Sequence, residues 1–467
     1  DFRTMFVTLS RSFARNRFPV RSKVPKWLRF QSTQSSAKTA TVNSPITNLT
    51  VLDNGVRVAT EDSGLPTATV GVWIEAGSRY ERPHVNGVAH FMEHMAFKGT
   101  AKRSQRQLEM EIEDMGAQLN AYTSREQTVF YCKCLSKDVA HAMDIISDII
   151  QNATLGAAEI ERERAVILRE MQEVESNLQE VAFDYLHMTA YQGTPLANTI
   201  LGPTENIRRI NQNDLREYLA ENYKAARIVV AGAGGVNHNE LVNISNKCFG
   251  KVTNTYPGEI PLVTRCRYTG SEIEARDDAL PLAHVVLAVE GTSWINPDTY
   301  ALMVASTLIG SWDRSQANPK QHSNPLVRSC NEDELCHQFQ AFNTCYQDTG
   351  LWGVYFVSDR MKAGDMLSEV QSEINRLCVS VRDAEIERAK AQLIANTLLH
   401  LDTTAAVCED IGRQILTYGR RIQPHELIHR IQSVTTEELR RVCYKYMYDV
   451  CPVMASVGPT EGIPDYN

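Results

Sequence analysis

One order of segments runs through this chain twice, and that repetition constrains the fold more than any other feature. "TVGVWIEAGS" is echoed by "AHVVLAVEGTS", and "NAYTSREQTVFYCKCL" by "QAFNTCYQDTGLWGVYFV". "AAEIERERAVILRE" returns as "DAEIERAKAQLIAN", which sets Glu385 against Glu159, 226 residues on. "INQNDLREYLAENYKAARIVVAGAG" returns as "VTTEELRRVCYKYMYDVCPVMASVG", with Gly234 and Gly458 separated by 224. Four echoes in one order at a near-constant offset indicate a duplicated domain. At 467 residues the chain is also too long for one ordinary core.

Within each copy, short apolar runs bounded by turn residues alternate with helical patterns. Two short strands flank the Asn54-Gly55 turn, "TATVGVWIEAG" is an apolar strand, and "AQLNAYTS" with "QTVFYCKCL" forms a strand pair. Ser104 is placed to cap a helix that ends before Gly116, Asp138–Gln151 is helical, and Glu159 to about Tyr191 is a long charged helical stretch. "ARIVVAGAG" closes the unit as a buried strand. The expected fold is α+β: two similar duplicated domains, each a mainly antiparallel sheet covered by helices. The expected divisions are a leader over 1–46, a first domain over 47–250, a linker over 251–271 and a second domain over 272–467. The polar stretch Ser311–Glu334 reads as a loop.

Chemistry concentrates in "VAHFMEHMAFKGT". Positions i and i+4 of a helix share a face, so His90 and His94 can reach one ion. Glu93 precedes the second histidine, close enough to address a water there without being a ligand. This is the inverted H-x-x-E-H order, which like H-E-x-x-H sets two imidazoles and one carboxylate around an open metal position. A third ligand must come from elsewhere, and the helix "ERERAVILREMQEVE" offers Glu163 and Glu170, two turns apart on one face. Glu170 follows the apolar run "AVIL" and is the better placed to point inward. The second copy has nothing like "HFMEH", so the duplication carries one such centre. "VVAGAGGVNHNEL" begins like a dinucleotide-binding loop, but Asn237 stands where its last glycine belongs and no acidic residue closes a βαβ unit.

Five segments carry a resemblance: "HFMEHMAFKGT", "MGAQLNAYTSREQTVFY", "EIERERAVILREMQEVE", "FDYLH" and "LGPTENI". Together they resemble the presequence-processing branch of the pitrilysin-type inverzincin metallopeptidases, from about Asn48 to about Val457. The resemblance implies one zinc per chain held by His90, His94 and Glu170. It implies Glu93 as the general base and Glu163 as a supporting carboxylate. It also implies an acidic pair, Glu180 and Asp184, for an arginine two residues before the cut. Phe97 would be an apolar contact just after the cut, and Asn120, Ala121 and Tyr122 an edge where an extended peptide adds as a strand. His337 lies near a substrate-facing position of distant relatives and receives no role. The implied activity is removal of N-terminal presequences in the mitochondrial matrix, beside a non-catalytic α subunit of similar fold. The related alternative is a core subunit of respiratory complex III, non-catalytic or bifunctional.

Charge supports the same direction. Residues 1–46 hold nine Lys/Arg and one acid among frequent Ser and Thr, a pattern that fits a mitochondrial transit peptide. Residues ahead of Met5 read as translated upstream sequence. Arg29 places a cut between Phe30 and Gln31 under the family's arginine rule. Residues 1–30 hold eight basic groups and one acid, so without them the net charge of −8 becomes −15. An acidic body attracts basic peptides and gives no sign of nucleic-acid binding. Eleven cysteines without a C-x-x-C pair read as free thiols of a reduced compartment.

Overall fold

A computed structural model describes residues 45–256, 264–316, 322–464 and 466. The first copy of the repeat forms a six-stranded sheet from β1 (Asn48–Val51), β2 (Arg57–Asp62), β3 (Thr67–Ile74), β4 (Gln118–Thr123), β5 (Thr128–Leu135) and β6 (Ile228–Gly234), in the order β1-β2-β6-β3-β5-β4. The second copy forms another from β7 (Glu272–Arg276), β8 (Leu282–Glu290), β9 (Ser311–Asp313), β10 (Gln338–Cys345), β11 (Gly350–Asp359) and β12 (Val453–Gly458), in the order β7-β12-β8-β11-β10-β9. With β1 set aside from one and β9 from the other, the two orders correspond strand for strand. In both, the first neighbours (β2 with β6, β7 with β12) pair in parallel and the rest antiparallel.

The helices of the first copy are α1 (Val88–Ala96), α2 (Gln105–Asp114), α3 (Val139–Gln151), α4 (Ala157–Ser176), α5 (Leu178–Ala190), α6 (Thr204–Ile207), α7 (Gln212–Asn222) and α8 (His238–Phe249). Those of the second are α9 (Thr299–Ile309), α10 (Pro325–Glu332), α11 (Ala363–Val379), α12 (Asp383–His400), α13 (Thr404–Tyr418), α14 (Pro424–Gln432) and α15 (Thr436–Met447). No described helix is long and apolar enough to cross a membrane. Ser104 caps α2 through a reciprocal capping box with Gln107, as the spacing predicts.

Two elements depart from the sequence expectation. The long stretch from Glu159 breaks at Asn177, which leaves the helical region at φ −89°, ψ 90°, and so divides into α4 and α5. The stretch Ser311–Glu334, expected as a loop, contains β9 and α10 among its described residues. β9 is only three residues long and exists because Ser311, Trp312 and Asp313 pair with Gln340, Phe339 and Gln338 on β10. No local periodicity announces a strand made by its neighbour. Its effect is to cover the edge of the second sheet, whereas the corresponding edge of the first sheet, β4, has no partner strand among the described residues.

Strands β3 and β6 are buried along nearly their whole length. Their unbroken apolar runs require cover on both faces. Helices α1 and α3 pack on one face of the first sheet, in a core that includes Val70, Val72, Phe91, Met95 and Ile146. The other face is covered by α13, which belongs to the second copy: Cys408, Ile411 and Ile415 lie on Trp73, Val129, Val229 and Ala231. The exchange is mutual. Ala182, Leu186 and Ala190 of α5 lie on Val286, Ala288, Val453 and Ala455 of the second sheet. Near that crossing the Arg79 side chain, 2% exposed, holds Glu126 at 2.6 Å and Asp348 at 2.7 Å, two carboxylates from the corresponding hairpin turns of the two copies. Residues 1–44 of the expected leader, with the proposed cut after Phe30, and residues 257–263 of the expected linker lie outside the described residues.

Candidate metal centre

Helix α1 begins at Gly87, whose φ of +101° suits glycine, and a side chain there would strike Leu201 and Ile207. Gly87 has no side chain to cap the helix. Glu81 supplies the cap: its carboxylate accepts from Gly87 N (2.8 Å), Ala89 N (2.7 Å) and Asn86 Nδ2 (2.6 Å). Burial pushes the Glu81 carboxyl up, to about 8, against those three donors. The result is a short helix with a fixed start, carrying its histidines on the side that faces α4.

His90, His94 and Glu170 each offer one ligand atom, and these atoms lie within 4.8 Å of one another. His90 Nε2 is 3.5 Å from Glu170 Oε1, and His94 Nε2 is 3.2 Å from Glu170 Oε2. A tetrahedral zinc with Zn–N and Zn–O bonds near 2.0–2.1 Å separates its ligand atoms by about 3.4 Å. The donor set fits zinc in type, and its atoms are close enough to gather around one ion. His90 is 7% exposed and its Nδ1 is buried without a partner among the described residues. Hydrogen bonds from His90 and His94 hold the Glu170 carboxyl well below the ordinary range. Burial works against a charged His94 ring, and the carboxylates of Glu170 and Glu163 outweigh it, so its pKa is raised.

Of the two carboxylates left open by the helix spacing, Glu170 faces both imidazole Nε2 atoms. Glu163, two turns earlier on α4 and 7% exposed, instead accepts from His94 Nδ1 at 3.2 Å. Glu93 lies on α1 beside this group, and its Oε2 accepts from Thr123 Oγ1 at 2.6 Å. Its Oε1 is left without a partner among the described residues. Thr123 ends β4, so the open sheet edge leads directly to Glu93.

The remaining predicted positions are spread around this centre. Phe97 follows α1 and packs near Phe130, with ring centroids 6.3 Å apart. Asn120, Ala121 and Tyr122 lie on β4, the open edge. Alternation turns Ala121 toward the core under α1, while the Tyr122 hydroxyl crosses to the other face and donates to Glu409 of α13 at 2.6 Å. Glu180 and Asp184 share a face of α5. Glu180 is exposed and accepts only from Asn177 Nδ2, at 2.9 Å. Asp184 is already engaged, since Arg125 Nη2 donates to its Oδ1 at 2.6 Å.

Sequence reasoning missed the partners: Glu81, Thr123, Arg125 and Lys98, whose ammonium lies 2.9 Å from Glu163. Three of them fall inside quoted motifs, but their roles depend on contacts between residues 30 to 65 positions apart. In the second copy, the 226-residue offset sets Ala389 against Glu163 and Asn396 against Glu170. Its helix pair lacks the carboxylates as well as the histidines.

Residues 57–204 match the profile described as Insulinase (Peptidase family M16), and residues 209–393 that described as Peptidase M16 inactive domain. The chain is 58% identical to the mitochondrial-processing peptidase subunit beta of Bos taurus and 57% identical to that of Homo sapiens, in each case over 94% of this chain and 89% of the relative. It is 50% identical to cytochrome b-c1 complex subunit 1, mitochondrial, of Homo sapiens, over 91% of this chain and 88% of the relative. Among solved structures, a chain of complex III2 from Candida albicans, with Inz-5 bound, superposes with a TM-score of 0.81 at 26% identity, covering 90% of this chain and 98% of that one.

Proposed function

The chain belongs to peptidase family M16, and from that premise we propose that it is the catalytic subunit of a processing peptidase that removes N-terminal presequences in the mitochondrial matrix. It is a metallopeptidase of mitochondrial type; the presequence substrates, the zinc, and a heterodimer with a processing-peptidase α subunit are the finer parts of the proposal. The observation that carries it is the intact set His90, His94, Glu170, Glu93 and Glu163, gathered from α1 and α4 at one end of an open sheet edge.

His90, His94 and Glu170 would hold one zinc, which when bound supplies Lewis acidity to a carbonyl and to water at its open position. The rest is done by the protein's own groups. Among the described residues strand β4 has no partner strand on its outer side, and that edge can align an extended peptide beside Glu93. Thr123 fixes Glu93 by donating to Oε2, and the free Oε1 takes a proton from the attacking water and returns it to the leaving amine. Glu163 orients the His94 ring by accepting from Nδ1. Glu180 supplies the accessible carboxylate for a substrate arginine; Asp184, neutralised by Arg125, supplies shape and one remaining oxygen.

A second reading, a core subunit of respiratory complex III with or without peptidase activity, is favoured by the cytochrome b-c1 relative and the complex III2 chain. Zinc content of the purified chain and cleavage of a synthetic basic presequence, with and without an added α subunit, test the first reading. Cleavage that appears with the α subunit supports it, and none under either condition overturns it. Co-migration with cytochrome b on a native gel, with no cleavage, would favour the core-subunit reading.

A further inference from the structure

Lys98 lies just beyond α1, its backbone N–H donating to Met95 O at 3.1 Å, and it follows His94 by four residues, on the same face. Its Nζ is 2.9 Å from Glu163 Oε1, while the other oxygen of that carboxylate, Oε2, accepts from His94 Nδ1 at 3.2 Å. The His94 ring then points Nε2 at Glu170, 3.2 Å away. The four groups form one line, ammonium to carboxylate to imidazole to ligand carboxylate, and it joins the end of α1 to α4 twice. The Lys98 side chain is 23% exposed and that of Glu163 9%, so the pair is shielded from most solvent.

A carboxylate against one imidazole of a metal centre that already has its own ligand carboxylate has two uses. With both oxygens free it can swing and compete with Glu170 as a ligand. With one oxygen tied, only the other is left, and it can serve only as the acceptor for His94 Nδ1. Lys98 ties the first oxygen. We propose that Lys98 is a positioning residue of the metal centre, acting through Glu163: it sets which oxygen faces His94, and so keeps the Nε2 lone pair of that ring aimed at the ion. A cation near the last turn of α1 also suits the helix dipole, which stabilises Lys98 in this place. The inference rests on the metal reading proposed above.

The test uses the full chain and zinc alone, with affinity measured by competition against a chelator. Outer-shell partners of metal ligands change affinity by about 10–100-fold. Lys98→Met should therefore bind zinc at least about tenfold more weakly than the wild type, and Lys98→Arg, which keeps the charge and a donor, should recover most of that loss. In a Glu163→Gln background, Lys98→Met should have little further effect, because its route to His94 is already cut. A pair that only glued two helices would lower the melting temperature of the zinc-free chain and leave zinc affinity unchanged; that result would overturn the proposal. An undiminished Lys98→Met effect in the Glu163→Gln background would overturn it too. Wild-type chain that binds no zinc would remove the metal reading first, and this inference with it.

Discussion

Glu93 and its neighbours show how residues three and four positions apart on one short helix take different jobs. His90 and His94 face α4, while Glu93 turns toward β4 and is held there by Thr123 at 2.6 Å. Glu93→Gln keeps the shape of the side chain and removes the proton acceptor. It should retain zinc and lose turnover by about 10²–10⁴-fold, the range for a general base. Metal analysis beside a cleavage assay checks this; loss of zinc would make Glu93 a ligand, and normal turnover would place the base elsewhere. At the proposed arginine subsite, the Arg125–Asp184 pair changes the expectation of two equal carboxylates. Glu180→Gln should raise KM for substrates with arginine two residues before the cut more than Asp184→Asn does, because only Glu180 has an uncommitted charge. The removed contact is of the order of 1.5–3 kcal/mol when well made. Equal penalties on substrates with and without that arginine would show that neither residue reads it.

At the scale of elements, the decisive contact is helix α13 on the first sheet. Gly412 lies against the Trp73 ring so closely that an added Cβ would fall 2.1 Å from it. Glu409, three residues earlier, accepts from Trp73 Nε1 at 3.2 Å and from the Tyr122 hydroxyl at 2.6 Å. Glycine is therefore required at 412 by close approach, although alanine is the better helix former. Gly412→Ala should destabilise the chain by about 1–3 kcal/mol, the range for overpacking a filled core, and not stabilise it as helix propensity alone would predict. Chemical denaturation of the two proteins decides between the signs. Since Tyr122 is on β4, the same substitution should also weaken peptide binding at that edge, and a rise in KM would register it.

For the whole molecule, the mutual exchange of α5 and α13 means that neither sheet buries both faces using its own copy alone. Without α13, the first sheet would expose Trp73, Val129, Val229 and Ala231 together. Arg79 adds a second tie, and removing it would leave the buried Glu126 and the part-buried Asp348 without their shared cation. The two copies should therefore unfold as one cooperative unit. Expressed separately, residues 45–256 should be aggregation-prone and should become soluble on co-expression with residues 264–467. Two resolved unfolding transitions in the intact chain, or a soluble and well-folded first fragment, would contradict this.

Patterns with local causes were legible in the sequence. The α+β class, the Ser104 cap and most of the strands each depend on residues within a few positions of one another, and the duplication shows because those local patterns occur twice in one order. The spacing of His90 and His94 is of the same kind, because one helical turn puts them on one face whatever surrounds them. The choice between Glu163 and Glu170 was narrowed by the same periodicity, but only the packing of α4 on α1 set one carboxylate at Nε2 and the other at Nδ1 of His94. Strand β9, the break at Asn177, the pairing of Arg125 with Asp184 and the crossing of α13 onto the first sheet had no local signal. Each is decided by a partner far along the chain, and one stretch of sequence does not encode what it will meet; the tertiary structure determines that by bringing the two copies together.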